Sequence, residues 1–345
     1  MNYIKMSPLT GMVGYGGGAT GLPMKSGKSM PLWLGERGFE IGGNRGGLSD
    51  FIGYFDIKTT GNSQDFADLL EVKYQLTAGA GDGRALQPGG RNTNGNTHTD
   101  RIEYWAIGTQ ANAQDFGNMA DSEGWSGHQA AGNGVRLLMS GGNGSTNADA
   151  GLNTIQYVTI ANTGDTSDFG DMAHAIRGSH ASMSSETKCF FVGGKVHHSL
   201  SNDGPKDTRC FVTIDTTGNS SDFGDLDVER WSHGSGGDEP RAILWGGRKN
   251  PSNTAHNDIT YFSMETQGNT SDFGDISGCS TYDGGAGGIC GDNTKALTFA
   301  AEITGGSSST VDTINYITVQ TTGNSSDFGD LDSAHTGSAM CAGTA

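Results

Sequence analysis

Three of the nine histidines recur at one spacing, eight residues before an arginine or lysine. They are His128, His180 and His233, and His335 occupies a similar place near the C-terminal end. Neutral imidazole is a common metal ligand, and its charge changes near neutral pH. The spacing raises the hypothesis of a metal-binding or pH-responsive ring, although we favour histidines that bond solvent and backbone, with no bound metal or cofactor. Four further candidates for binding lie in polar stretches: His98, His197, His198 and His256.

A second group of candidates follows turns that are rich in side-chain oxygens, as in TTGNSSDFGDL at 216–226 and 321–331. Such oxygens could hold calcium. The alternative is structural: Asp and Asn bond backbone amides, Gly supplies a positive φ, and Phe fills the space between neighbouring repeats. We favour this structural interpretation. The pairs are Asp65 and Phe66, Asp115 and Phe116, Asp168 and Phe169, Asp222 and Phe223, Asp272 and Phe273, and Asp327 and Phe328.

These pairs belong to an internal repeat. Their Asp residues are 50, 53, 54, 50 and 55 residues apart. A Gly-Gly doublet alternates with them, and most doublets close an apolar run. The alternation predicts six copies of one unit. The doublets begin at Gly42, Gly89, Gly141, Gly193, Gly246 and Gly305.

Each unit contains four short segments with strand character. A segment rich in small residues precedes an apolar one, and the third segment, such as IQYVTI at 155–160, alternates β-branched and aromatic residues. DFGDL supplies the fourth strand. Four strands in about 50 residues predict a propeller blade. The fold class is therefore all-β: a six-bladed β-propeller of four-stranded antiparallel blades over 34–345, with an extended N-terminal arm at 1–33.

The chain ends predict how the ring closes. Residues 333–345 resemble a first strand without a second, and residues 37–43 resemble a second strand without a first. Pairing between them would complete the sixth sheet and remove the exposed edges of an open stack.

The two faces of the predicted disc differ. The Asp of every Asp-Phe pair comes eight positions after the last residue of the third strand. These turns of constant length lie on one face of the disc, which we call the "turn face". The loops that follow the doublets differ in length and form a "variable face", where we expect binding. Basic residues precede the doublets by five positions, and we expect them to pair with Asp residues of the turns. Lys295 precedes Gly305 by ten, which predicts an insertion or a different register in blade 6. The other basic residues are Arg37, Arg84, Arg136, Lys188 and Arg241.

Composition excludes several classes of protein. The 345 residues carry a formal charge of −17, which disfavours binding to phosphate backbones, and they contain no apolar run long enough to insert into a membrane. We expect no secretory signal, because the N-terminal segment has no apolar core. The five cysteines predict buried, reduced thiols, with Cys189 and Cys210 at opposite ends of one blade. No catalytic motif is present, so we expect no enzyme and no catalytic residues.

The doublet followed by a tyrosine-bearing strand resembles the kelch repeat, although the kelch Tyr…Trp pairing is missing from most blades. The phrase TTGNSSDFGDL resembles repeats in kelch-like propeller proteins of tailed, notably marine, bacteriophages. This resemblance implies a non-enzymatic virion structural protein, tail-associated or on a tail fibre, that assembles in the host cytoplasm. Its partners would be other virion proteins, bound through residues 1–33, and a host-surface glycan or receptor. A lectin-like propeller or a glycan-processing enzyme is the alternative.

Overall fold

Antiparallel strands form the regular structure of this chain. The computed structural model describes residues 34–92, 98–120, 125–144, 151–176, 180–196, 204–252, 254–277, 290–299 and 311–344. No helix occurs among these residues, and so none that could span a membrane. The predicted arm at 1–33 lies outside them, as do His197, His198, Cys279 and Gly305.

Six blades of four antiparallel strands form a ring, which confirms the predicted fold class. Blade 1 combines the two chain ends, and blades 2 to 6 follow in chain order. The innermost strands of blades 1 to 6 are Ala339–Gly343, Gly79–Gly81, Gln129–Gly132, Ala181–Ser184, Gly234–Gly237 and Cys290–Gly291. The second strands are Arg37–Ile41, Arg84–Pro88, Arg136–Ser140, Lys188–Val192, Arg241–Lys249 and Lys295–Phe299.

The outer half of each blade contains the tyrosine-bearing strand and the Asp-Phe strand. The third strands are Ser49–Asp56, Arg101–Ala106, Leu152–Thr159, Thr208–Thr213, Thr254–Ser263 and Thr313–Thr318. The outermost strands are Gln64–Lys73, Gln114–Asn118, Ser167–Ile176, Ser221–Asp225, Ser271–Asp275 and Ser326–Asp330. Short additional strands lie on the variable face: Trp125–Ser126 with Asn143–Gly144, Lys195–Val196 with Gly204–Pro205, and Arg230–Trp231 beside the second strand of blade 5.

Blade 1 closes the ring as the chain ends predicted. Ala339–Gly343 pairs antiparallel with Arg37–Ile41, with Arg37 opposite Gly343 and Ile41 opposite Ala339. The innermost strand therefore comes from the C-terminal end, and the other three strands of the blade come from the N-terminal end. This arrangement leaves no inner sheet edge unpaired at the junction of the two ends.

The hydrophobic core is divided among the spaces between blades. Each of the six buried clusters in the described residues draws its side chains from two neighbouring blades. Each cluster contains the phenylalanine of one Asp-Phe pair, and all six of these rings are buried. Phe223, for example, packs 4.9 Å from Phe190 of its own blade and 6.3 Å from Phe262 of blade 5, measured between ring centroids. The phenylalanines are thus wedges between blades.

The six basic residues also join neighbouring blades, and here our expectation was wrong. They do not pair with Asp side chains of the turns; each donates a hydrogen bond to a backbone carbonyl where the third strand of the next blade ends. Arg136 Nη1, for example, lies 2.8 Å from the carbonyl oxygen of Ile214, while its guanidinium lies 4.8 Å from the Tyr157 ring centre. The six donor–acceptor pairs are Arg37 to Ile107, Arg84 to Ile160, Arg136 to Ile214, Lys188 to Met264, Arg241 to Val319 and Lys295 to Ile57.

Lys295 shows that blade 6 keeps the register of the other blades up to Phe299, so that of the two predicted alternatives a different register is excluded over this strand. It lies opposite Thr318, just as Arg136 lies opposite Thr159 in blade 3. The unusual ten-residue spacing to Gly305 therefore arises beyond Phe299. That part of the chain lies outside the described residues.

The turns on the turn face fasten each blade to the preceding one. Asn219 Oδ1 accepts a hydrogen bond of 3.0 Å from the backbone N–H of Asp171, and the Gly218 N–H donates to the Phe169 carbonyl at 2.7 Å. Asn324 and Asn62 accept the equivalent hydrogen bond from the blade that precedes their own. Because the fixed turn length serves this contact, the uniformity of the turn face has a structural cause.

Candidate functional site

The axial channel is walled by small side chains. All six innermost strands contribute to its described lining, which consists of Gly, Ala, Ser, Met and Cys residues together with Leu34. These lining residues include no carboxylate, imidazole or basic side chain. Such groups most often serve in general acid–base catalysis. The ionisable side chains of the described lining are the thiols of Cys290 and Cys341, and burial raises the pKa of both.

The four regularly placed histidines lie beside this channel, at the variable-face ends of the innermost strands, and they are buried. His128 and His335 have no exposed surface, and His180 and His233 expose 1% and 4%. None of them can present its ring to a ligand in solution in this conformation. His180 Nε2 lies 3.0 Å from the hydroxyl of Ser140, and His335 Nδ1 lies 2.7 Å from the Ser333 carbonyl.

The Gly-Gly doublets accommodate these side chains. A Cβ added to Gly194 would lie 2.6 Å from the Cβ of His180, and one added to Gly141, in the preceding blade, would lie 2.9 Å from its ring. Both residues of each of the five described doublets also have positive φ, +60° and +94° at Gly193 and Gly194, which glycine adopts at little cost. The doublet thus provides the turn and the space for a side chain of the next blade.

In blade 2, a leucine takes the place of the regularly placed histidine. Leu76 is fully buried there, and Cβ atoms added to Gly42 and Gly90 would lie 2.6 and 2.5 Å from its methyl groups. Those glycines hold the same places around Leu76 as Gly141 and Gly194 hold around His180. Because leucine can neither ligate a metal nor change charge, the position serves packing in blade 2. This favours a packing role for the equivalent histidines as well.

Burial also keeps these imidazoles neutral. Desolvation lowers the pKa of His128 and of His180 to about 3 and that of His335 to about 4. The pKa of His233 is lowered well below its ordinary value by desolvation and then by the neighbouring charge of Arg230. The described residues contain no group of three His, Cys, Asp or Glu side chains that could hold a metal ion.

We expect His233→Leu to stabilise the protein, and more so in acid. Neither nitrogen of His233 has a hydrogen-bond partner among the described residues, and removing such atoms is worth about 1 kcal/mol at pH 7. Since the folded state depresses the pKa, the unfolded state takes up the proton as the pH falls below about 6.5, and the wild type then loses up to about 1.4 kcal/mol per pH unit. The variant's advantage should therefore grow by about 2 kcal/mol between pH 7 and pH 5, measured by urea unfolding.

A matched control is His256→Leu, because His256 is a half-buried residue near the start of the third strand of blade 5, and its Nε2 lies 3.2 Å from the Thr254 hydroxyl. It should not reproduce the growing advantage of His233→Leu, because it removes an imidazole that is only half-buried. If His233→Leu has the same effect at both pH values, the buried imidazole is not the source of acid sensitivity. His98, the described histidine of the variable loop after Gly89, is half-buried beside Arg91.

Two buried carboxylates were not recognised as special from the sequence. Glu103 is fully buried, and its Oε1 lies 2.6 Å from Nζ of the equally buried Lys73. Glu40 is fully buried 3.3 Å from Arg45, and burial raises its pKa. The sequence does distinguish these two residues, because the positions that correspond to Glu40 and to Glu103 in the other five blades carry uncharged residues. Each carboxylate is held by an internal cation and has no access to solvent.

The cysteines differ in one respect from our expectation. Cys189 lies opposite Val212 and Cys210 lies opposite Phe191, so the two are only two positions apart in register and are not at opposite ends of the blade. Both side chains enter the cluster between blades 3 and 4. They are free and buried, as are Cys290 and Cys341. Burial raises the pKa of each thiol.

Leu34, the first described residue, lies on the turn face. It lines the channel mouth, the N–H of Gly35 donates to the Gly291 carbonyl at 3.1 Å, and the Ile57 N–H donates to the Glu36 carbonyl. Ile57 directly follows the third strand of blade 1 and begins a turn of the turn face. The variable loops project from the opposite face of the disc.

A scan of the sequence against protein-family models finds no match, and a search of curated protein sequences finds no significant relative. The fold itself, a six-bladed β-propeller, is consistent with the kelch-like resemblance of the repeat. A propeller scaffold hosts many functions, so function must be argued from the surfaces.

Proposed function

We propose that this propeller is a non-enzymatic structural protein of a bacteriophage virion, displayed on the particle for attachment to the host surface. The observation that carries the proposal is the position of Leu34 on the turn face. A particle that holds residues 1–33 would draw the turn face towards itself. The variable face would then point outwards, towards a host.

The chemistry of the two faces supports this orientation. Turn-face amides and carbonyls are used in contacts between blades, such as those of Asn219 and Arg136. The variable face carries loops of different lengths on a rigid scaffold, which is where binding surfaces usually lie. The resemblance of the repeat to phage propeller proteins points to a virion as the setting.

A lectin-like propeller or a glycan-processing enzyme is the alternative. An enzyme would use ionisable side chains that can reach a substrate, whereas Glu40 and Glu103 are enclosed and paired with Arg45 and Lys73. A lectin would use the variable face, as an attachment protein would. The distinction between these two therefore depends on whether the protein is part of a particle.

The test is to follow the protein in purified phage particles. We expect the full chain in the particles, and we expect a chain without residues 1–33 to fold but to be missing from them. Removing residues 198–202 from the variable loop 195–209 should leave incorporation and thermal stability unchanged and slow adsorption to host cells. Absence of the full chain from particles, or incorporation that does not need residues 1–33, would overturn the proposal.

A further inference from the structure

The innermost strand of blade 1 differs from the others in how it is attached. In blades 2 to 6 a tight turn joins the innermost strand to the second strand, as between Ser184 and Lys188 in blade 4. No such turn joins Ala339–Gly343 to Arg37–Ile41, because these two strands come from opposite ends of the sequence. The strand is therefore held in blade 1 by noncovalent contacts. We call the segment that contains it, residues 332–344, the "strap".

Polar contacts fasten the strap at the variable face. The Asn44 N–H donates to the Thr336 carbonyl at 2.8 Å, and the Thr336 N–H donates to the Asn44 carbonyl at 3.3 Å. Arg45 Nη1 forms an ion pair with the Asp332 carboxylate and lies 3.2 Å from the Ser333 hydroxyl. Arg45 therefore connects the variable loop of blade 1 with the first residues of the strap.

His335 is enclosed between the strap and blade 1. Its Nδ1 lies 2.7 Å from the carbonyl oxygen of Ser333, which can only accept, so Nδ1 carries the proton of the neutral ring. Nε2 is then an acceptor, and it lies 3.9 Å from Oε2 of Glu40. Neither of these two atoms has a hydrogen-bond partner among the described residues. The closed strap thus leaves Nε2 without a donor, whereas water supplies one when the strap is open.

The charges around His335 come from three positions. Glu40, on the second strand of blade 1, is fully buried, and its Oε1 lies 3.3 Å from Nη2 of Arg45. Asp332 belongs to the strap itself. Blade 6 presents the uncharged ring of Phe299, whose centre lies 5.6 Å from that of the imidazole. The described surroundings of His335 therefore contain two carboxylates and one permanent cation.

Proton uptake should accompany release of the strap. Desolvation is the main reason why the pKa of His335 falls to about 4 in the closed ring; Arg45 adds to this effect, and the Ser333 carbonyl and Asp332 oppose it. An imidazole in water has a pKa of about 6.5. An open strap therefore takes up a proton below that pH and a closed strap does not, so acid favours opening. Burial raises the pKa of Glu40, which opposes this trend.

We propose that the strap can leave blade 1 as a unit, and that His335 makes this release easier in acid. Release would expose the inner edge of Arg37–Ile41, where another strand could pair. The device depends on an interface between two distant parts of the chain, which is the kind of contact that opens locally before a whole domain unfolds. The inference goes beyond the proposed function, because it concerns how the ring opens and not what the variable face binds.

Thiol labelling of the full chain measures this release. Cys341 belongs to the strap, and Cys290 of blade 6 lies in the cluster that Met340 of the strap completes. Cys189 and Cys210 are buried between blades 3 and 4, away from the strap. The probe is 4,4′-dithiodipyridine, with labelled sites identified by mass spectrometry and rates divided by that of N-acetylcysteine at the same pH. Cys341 and Cys290 should react together, at least about tenfold faster than the other two, because local opening exposes them without global unfolding.

The pH dependence tests the role of His335. Between pH 7.5 and pH 5.5 the normalised rate of Cys341 should rise about five- to tenfold, where tenfold is the effect of the imidazole alone and Glu40 reduces it. His335→Leu should abolish the increase. Leucine suits this position, because Leu76 fills the equivalent place in blade 2.

The matched control is His233→Leu, which removes an almost equally buried imidazole from blade 5. It should leave the pH dependence of Cys341 labelling unchanged, because His233 does not touch the strap. Asp332→Asn is a second variant, and it should raise the rate of Cys341 at pH 7.5 about threefold by removing the ion pair with Arg45.

Three outcomes would overturn the inference. The first is labelling of all four cysteines at one rate, or of none of them, since the strap then does not open on its own. The second is a normalised rate of Cys341 that is the same at both pH values. The third is an increase in acid that persists in His335→Leu, because the proton would then be taken up elsewhere.

Discussion

Removal of residues 335–345 is expected to abolish cooperative unfolding of the propeller. The truncation deletes the strand Ala339–Gly343 and exposes the edge of its partner, Arg37–Ile41, whose Phe39 and Ile41 are fully buried in the closed ring. It also takes side chains out of two interblade clusters, because Cys341 faces blade 2 and Met340 faces blade 6. The expected loss exceeds about 5 kcal/mol, which is comparable to the whole stability of a typical domain.

Scanning calorimetry and circular dichroism give the measurement. The full chain should unfold in one sharp transition, whereas the truncated chain should show a broad, low-enthalpy change and should aggregate through its open edge. A chain that lacks only residues 344 and 345 is the matched control and should unfold like the full chain. Adding a peptide of residues 335–345 should restore the sharp transition. A truncated chain with an unchanged transition would contradict closure by the chain ends.

The blade number and the closure could be predicted because both depend on periodic features. The Asp-Phe pairs recur at a nearly constant period, and alternating segments such as IQYVTI have the pattern of a strand that is covered on both faces. The incomplete units at the two ends indicate a ring. Each of these signals is a comparison of one part of the chain with another, so the single sequence contains it.

The partners of the basic residues could not be predicted in the same way. Arg136 bonds the carbonyl of Ile214, 78 residues further along the chain, and Lys295 bonds that of Ile57, 238 residues earlier. A backbone carbonyl is present at every residue and has no sequence signature. The expected Asp partners were chosen by charge alone, whereas the geometry of adjacent blades brings a strand end closer.

The histidines illustrate a different difficulty. A polar side chain at a regular spacing suggests a binding ring, and its burial between glycine doublets becomes visible only when two blades are packed together. One sequence signal was nevertheless present. Leu76 occupies the corresponding position in blade 2, and a position that accepts leucine in one repeat is more probably a packing position in the others.

Replacing Phe223 with alanine should destabilise the propeller by about 3–5 kcal/mol. The ring is 3% exposed and packs against Phe190 and Phe211 of its own blade, with centroid distances of 4.9 and 5.6 Å. Phe262 of blade 5 completes the cluster at 6.3 Å. Truncation leaves a cavity between two rigid sheets, and such sheets can close it only by shifting against all their other contacts. Urea unfolding at pH 7 gives the free energy.

The matched control is Phe51→Ala, because Phe51 is a half-buried ring outside the six interblade clusters, and the guanidinium of Arg45 lies 4.1 Å from its centre. Its truncation should cost about 1 kcal/mol, the value of a partly exposed aromatic–cation contact. The contrast between the two variants separates the wedge from a surface ring of the same type. If both cost the same, or if Phe223→Ala costs less than about 1 kcal/mol, the Asp-Phe pair does not hold the blades together. The calcium interpretation of the turn would then regain support, and addition of calcium should raise the stability of the wild type.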